Sequence, residues 1–329
     1  MSMDSTDVTE PPPDAVPPTD AAPPADAAPP ADAAPPADAA PPASSAPGSR
    51  NTRIIATIVI VVLVAVFGYA AAGFAFATSR LDGARNTYNG VVAHQNDITD
   101  TVNLFNTKFT TTNAAATAND LKADRALLDE VVSKSKAAET TSAADDALLA
   151  SAQASLTDSS WLTVFNRSNL DHYSSKIGHE RKALRDSKTL TGDYVLLATF
   201  YQSFFDALMD FDAVGSKIQA SDFQGALAGV STLQTDLGKA LQASNAPGLP
   251  PEVQKFIVDF QTFATDEGKL LAAVNASDVS AGQSLSPKVT ADVTKLDSYD
   301  FTKIGNDIAS YYTPLINDYN SEISKANGM

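Results

Sequence analysis

The chain has 329 residues, a net charge of −16 at pH 7 and no cysteine. The acidic balance disfavours binding to nucleic acid, because the phosphate backbone is itself negative. Without cysteine the chain forms no disulfide, uses no thiol in catalysis and binds no zinc through sulfur. Length, charge and cysteine content therefore exclude several classes of function before any motif is considered.

The first 49 residues form an acidic tail rich in proline and alanine. From Pro11 the sequence repeats every six residues as variants of PPADAA, with one aspartate in most repeats. Paired prolines remove backbone donors and favour polyproline II, and alanine and aspartate offer little to bury. We predict a disordered, low-complexity tail over residues 1–49, either a solubilising segment or a docking strip for a basic or aromatic-lined partner.

Residues 50–78 predict a transmembrane anchor. Ile54 to Ala77 is a run of 24 residues without charge or proline. As a helix it measures about 36 Å, enough to cross a hydrocarbon layer of roughly 30 Å. The length of the run and of the polar segment before it favour an uncleaved signal-anchor over a secretory signal peptide.

The charges beside the span predict its orientation. Arg50 and Arg53 directly precede the apolar run, and basic residues favour the cytoplasmic side. We therefore expect a single-pass plasma-membrane protein with a cytoplasmic tail and an extracytoplasmic C-terminal domain. Small residues four apart would let two spans approach closely and form a homodimer, although such residues are common in any span. The candidate positions are Gly68, Ala72, Gly73 and Ala77.

Residues 79–329 predict an all-α domain. Apolar residues recur three and four apart in coiled-coil fashion, beginning with the stripe Leu81, Ala84, Tyr88, Val91, Gln95, Ile98, Val102, Phe105 and Phe109. We expect an elongated antiparallel helical bundle, or two stacked bundles, because helices need a shared core.

The helix boundaries are predicted from local signals. Asp222 has the position of an N-cap, and Pro251 suits the first turn of a helix. A short third helix is expected around Leu148, an internal division near residue 191, and a loop from Asn275 to Pro287.

The sequence carries no recognisable catalytic motif. The segment HERKA at His179 begins like a zinc-protease motif, but Ala183 stands where the second histidine is required. Phosphate-binding glycine loops, nucleophile elbows and calcium loops are absent from the sequence. We expect no enzyme activity, no cofactor and no metal site.

Two groups of residues are candidate interaction sites. One is a basic cluster, either an anion-contacting patch or a solvated face paired with acidic neighbours: Lys176, His179, Arg181, Lys182, Arg185 and Lys188. The other is a set of seam positions that either fix helix register or line a cavity: Gln95, Glu267 and Tyr201. Trp161, in the apolar segment WLTVF, is expected to be a packing anchor.

These observations favour a membrane-anchored envelope protein that works by interaction or scaffolding. Its partners would be the lipid bilayer and another protein or envelope component. The alternatives are an extracytoplasmic sensor that binds a small molecule, and a wall-spanning spacer with reversed topology.

Overall fold

The structure, a computed structural model, describes residues 50–108, 118–158, 161 and 163–329. The predicted tail, residues 1–49, and Phe109 lie outside them. The described residues form seven α-helices and no strand, which confirms the all-α prediction. The helices are α1 (Arg50–Lys108), α2 (Ala118–Thr157), α3 (Arg167–Gln219), α4 (Phe223–Ala243), α5 (Pro251–Asn275), α6 (Val279–Asp297) and α7 (Phe301–Gly328). Residues 57–329 form a compact unit, to which all contacts below belong.

Helix α1 changes its surroundings along its length. Apolar side chains from Val61 to Phe67 are exposed, and α1 is the described helix that is long and apolar enough to cross a membrane. One stripe further along the same helix is buried, as the heptad spacing predicts: Ala77, Leu81, Ala84, Tyr88, Val91, Gln95, Ile98 and Val102. The apolar segment therefore continues without interruption into a protein core.

A first four-helix bundle consists of α1 after Gly73, α2, the first half of α3 (residues 167–191) and α7. Helix α2 runs antiparallel to α1, with Asp145 near His94 and Asp158 near Arg80. Helix α7 runs antiparallel to α3, and its Tyr319 hydroxyl lies 2.8 Å from the Thr99 hydroxyl of α1. Helix α7 thus completes the bundle that α1 begins.

A second bundle consists of the remainder of α3 with α4, α5 and α6. The Phe211 ring of α3 lies 5.5 Å from that of Phe260 in α5. Lys295 of α6 pairs with Asp259 of α5 at 2.7 Å. The predicted N-cap of α4 is confirmed, since the Asp222 carboxylate accepts a hydrogen bond from Gly225 N at 2.9 Å. The two bundles stack end to end along α3, and the chain enters and leaves the second one through the first.

Helix α3 runs unbroken through the predicted division near residue 191. The side chain of Thr191 is fully buried, and its hydroxyl donates to the Ser187 carbonyl at 2.8 Å. This hydrogen bond satisfies the Thr191 hydroxyl within the helix. Burial of the segment also outweighs the weak helix propensity of Thr-Gly-Asp, so the helix continues through it. The separate helix expected around Leu148 is likewise part of α2.

The predicted loop from Asn275 to Pro287 is wrong. Within this segment only Ala276 to Asp278 lie outside helices, and α6 continues through Pro287. The Asp278 carboxylate accepts from Ala281 N at 3.0 Å, so an N-cap starts α6 nine residues before the proline. The N-cap therefore outweighs the low helix propensity of the serine and glycine residues in the segment.

The turn between α4 and α5 packs directly against α7. The Tyr312 hydroxyl donates to the Pro247 carbonyl at 2.8 Å, and Gly248 has φ +80°. A Cβ atom at Gly248 would lie 2.8 Å from Tyr312 Cε2 and 2.9 Å from Tyr311 Cδ1. A side chain here would be disfavoured both by the left-handed backbone and by contact with two tyrosine rings.

Gly248→Ala is expected to lower the free energy of unfolding by about 2–4 kcal/mol, since it adds a left-handed alanine and overpacks the site. Urea denaturation of the detergent-solubilised full chain, followed by circular dichroism, measures the change. Gly238→Ala in α4 is the control, because a Cβ there meets none of the described atoms within 4 Å. It should leave stability unchanged or raise it by about 0.5–1 kcal/mol. Equal effects of the two substitutions would contradict the role of Gly248.

Candidate functional site

The core of the first bundle contains a buried acid. Glu180 of α3 is 0% exposed, and its Oε2 lies 3.5 Å from Gln95 Nε2 in α1. Its Oε1 has no hydrogen-bond partner among the described residues. A carboxyl group without full hydrogen bonding is costly to bury in its charged form. Gln95, a candidate seam residue, therefore meets an acid whose burial the sequence does not suggest.

The residues around Glu180 set its protonation. Burial raises the pKa of the Glu180 carboxyl to about 7, nearby Asp145 acts in the same direction, and Lys176 opposes both. The Lys176 ammonium itself lies 4.9 Å from the centre of the Tyr88 ring, a cation–π contact on the α1 side of the bundle. Glu180 therefore changes charge near neutral pH inside a closed helix interface.

The opposite face of the same α3 segment carries a surface groove. Its volume is about 580 Å³, and it opens between α2, α3 and α7. Its lining residues are Gln153, Asp171, Ser174, Ser175, Gly178, His179, Lys182, Arg185 and Glu322. Three members of the predicted basic cluster, His179, Lys182 and Arg185, thus share one concave surface with two carboxylates.

Most of the basic cluster is paired with acids from other positions. Arg181 and Arg185 both contact Asp146 of α2, at 2.8 and 3.3 Å. Lys182 pairs with Asp186 at 2.8 Å. These carboxylates reduce the positive potential of the surface, and Lys182 and Arg185 stay about half exposed beside them. Lys176 is turned toward α1, and Lys188 is an exposed member outside the groove.

Glu322 of α7 closes one side of the groove. Its carboxylate lies 2.6 Å from His179 Nδ1 and 2.8 Å from Lys325 Nζ. Hydrogen bonds from Lys325 and His179 lower the pKa of Glu322 to about 2. Glu322 therefore stays ionised at any physiological pH and is an acid of opposite character to Glu180.

The three predicted seam residues do not converge on one cavity. Gln95 belongs to the first bundle. Tyr201 lies in α3 beyond Thr191, where its ring packs 5.3 Å from Phe200 and burial raises the pKa of its hydroxyl to about 12. Glu267 lies in the second half of α5, and partial burial raises the pKa of its carboxyl. Each is a local feature of its own helix interface.

The small residues of the apolar segment divide between two environments. Gly68 and Ala72 are exposed, whereas Gly73 and Ala77 are buried within the chain itself. Of the four candidate positions, Gly68 and Ala72 are therefore the two at which a second span could approach closely.

Trp161 is not the buried packing anchor that we expected. It is 64% exposed, and its ring stacks on Tyr69 with centroids 6.2 Å apart. The connector between α2 and α3, which contains Trp161, lies at the end of the first bundle and beside the apolar segment of α1. The core of the bundle therefore does not cover it.

The described residues contain no group of three or more His, Asp or Glu side chains placed to hold a metal ion. His172 Nε2 lies 3.0 Å from the Met329 carbonyl, while His179 pairs with Glu322. The two histidines, seven residues apart, therefore serve separate contacts.

No protein-family model matches the chain, and comparisons with curated proteins and with solved structures also give no match.

Glu180→Gln is expected to stabilise the protein at pH 8. Native Glu180 keeps a proton that the unfolded chain loses, so its contribution to stability falls as pH rises between about 4.5 and 7. The substitution should raise the free energy of unfolding at pH 8 by up to about 3 kcal/mol, and by much less at pH 4. Urea denaturation of the full chain at both values measures the difference.

Glu322→Gln is the matched control, with the opposite sign. The lowered pKa of Glu322 means that its contribution is present above about pH 4.5 and is lost as pH falls toward 2. At pH 8 this substitution should destabilise the protein. If Glu180→Gln also destabilises it at pH 8, Glu180 is not a charged, unsatisfied acid in the native core.

Proposed function

We propose that the protein is a non-enzymatic, single-pass membrane protein whose stacked helical bundles act as an extracytoplasmic scaffold at the plasma membrane. The observation that carries the proposal is the continuity of α1. The same helix exposes Val61 to Phe67 and then buries its stripe from Ala77 in the first bundle. A continuous helix holds the bundles at a fixed height above the bilayer, which suits a protein that presents a surface to partners.

The arrangement of charges supports interaction over catalysis. The buried acid with the raised pKa, Glu180, faces the core rather than the groove, and a general acid must reach its substrate. In the groove, His179 is held by Glu322, and Arg185 by Asp146. Since the Glu322 contact uses only Nδ1 of His179 and leaves its Nε2, the position of Glu180 is the observation that favours interaction over catalysis.

The groove is the proposed contact surface. The side chains of Lys182 and Arg185 remain 46% and 52% exposed despite their ion pairs. Both can therefore add a hydrogen bond to an anionic group of a protein or envelope polymer, and Ser174 and Ser175 line the same groove.

A ligand-binding sensor is the second candidate, and the groove is where such a ligand would bind. The groove is open to solvent and lined by polar and charged side chains, so its ligand would be a small polar molecule. If the groove binds a small polar ligand, a ligand screen should raise the melting temperature of the wild-type full chain, and Lys182→Ala with Arg185→Ala should abolish that shift.

The orientation predicts a specific labelling pattern. Because the chain has no native cysteine, single substitutions report unambiguously. We expect Ser280→Cys, exposed at the start of α6, to react with a membrane-impermeant maleimide on intact cells. Ser44→Cys in the tail should react only after lysis, because the arginines before the span favour a cytoplasmic tail.

The reverse pattern would overturn the proposed topology and support the wall-spanning spacer. Extraction of the chain from membranes by alkaline carbonate would overturn the anchor itself. A threonine at either position is the control for non-specific labelling.

A further inference from the structure

The connector between α2 and α3 exposes apolar side chains at the end of the first bundle. Among its described residues, 158, 161 and 163–166, Trp161 is 64% and Val164 57% exposed. In water this exposure costs free energy, since each large apolar side chain gains about 1.5–3 kcal/mol on full burial. Two such side chains alone need no explanation, but a contiguous apolar surface indicates that something apolar covers it.

The connector is fastened to the apolar half of α1. The Tyr69 hydroxyl donates to the Trp161 carbonyl, and the two rings stack. Higher on α1, Arg80 donates to the Ser155 carbonyl and pairs with Asp158 at 3.1 Å. The Arg80 guanidinium also lies 4.1 Å from the centre of the Phe76 ring. These contacts hold Trp161 beside a helix whose neighbouring side chains, Val61 to Phe67, are themselves exposed and apolar.

The burial pattern of α1 shows where lipid contact can end. The side chains of residues 61–72 are mostly exposed, and from Gly73 onward one face is buried by the chain itself. Ile54 to Ala72 is a helix of about 28 Å, close to the roughly 30 Å of a hydrocarbon core. Tyr69 would then lie about 4.5 Å inside the boundary, at the depth where tyrosine and tryptophan are enriched.

We propose that Trp161 and Val164 insert into the extracytoplasmic interface of the membrane. The first bundle is then held to the bilayer at a second point besides α1. The occupant of this apolar surface is lipid, because the surface is continuous with the exposed face of α1 and both lie on the same side of Arg80. The lipid-embedded part of the anchor accordingly ends near Ala72, not at residue 78. This inference rests on the proposed membrane anchor.

The fluorescence of Trp161 tests the inference directly, since it is the sole tryptophan of the chain. The full chain is reconstituted into phosphatidylcholine vesicles that contain lipids brominated at either a shallow or a deep acyl position. We expect blue-shifted emission and stronger quenching by the shallow bromines. The control carries Trp161→Phe and Phe301→Trp, which moves the tryptophan to an exposed position of α7. Its emission should be red-shifted and unquenched.

Flotation of the vesicles separates the two proposals. If the chain does not float with the lipid, the anchor fails and the inference fails with it. If the chain floats but Trp161 emits as in water, only the inference is overturned. Blue-shifted emission that is unquenched and depends on protein concentration would assign the surface to a second copy of the chain and would also overturn it.

Discussion

Burial of α3 against two sets of helices holds the described fold together. Leu170 and Ile177 in its first half belong to one buried core with residues of α1, α2 and α7, and Val214 in its second half belongs to a cluster with residues of α4 and α5. Neither bundle has four helices without it. The Tyr194 hydroxyl donates to the Val102 carbonyl at 3.0 Å, so α3 also fixes the register of α1. The height of both bundles above the apolar segment therefore follows from this packing.

Polar groups in the first bundle restrict how its helices can slide. An apolar seam tolerates a shift of one heptad, whereas Gln95 opposite Glu180 and Asp145 opposite His94 match in a single register. Burial leaves Glu180 poorly solvated, so fixing the register in this way lowers the stability of the fold above neutral pH. Glu322, fully hydrogen-bonded on the other side of α3, contributes to the same register without that cost.

Local signals explain what was predictable. The buried stripe of α1 from Leu81 to Val102, the Asp222 cap and Pro251 at the start of α5 depend on neighbours within a few residues, and all three are confirmed. The continuity of α3 at Thr191 depends on burial by other helices. Intrinsic helix propensity carries no information about that burial. Glu180 lies among lysines and arginines in the sequence, so its charge suggested an outer face. The pairing of Arg181 with Asp146 likewise requires the antiparallel placement of α2.

The order of the helices along the chain constrains how the first bundle is built during synthesis. Thr99 and Tyr319 meet across 220 residues, whereas α4, α5 and α6 follow one another directly. The second bundle can close while the ribosome is still translating, and the first must wait for α7. Until then α1 presents an unfilled apolar stripe next to its exposed apolar segment. A nascent chain that stalls before Phe301 would thus be vulnerable to aggregation or proteolysis at the end of the bundle nearest that segment.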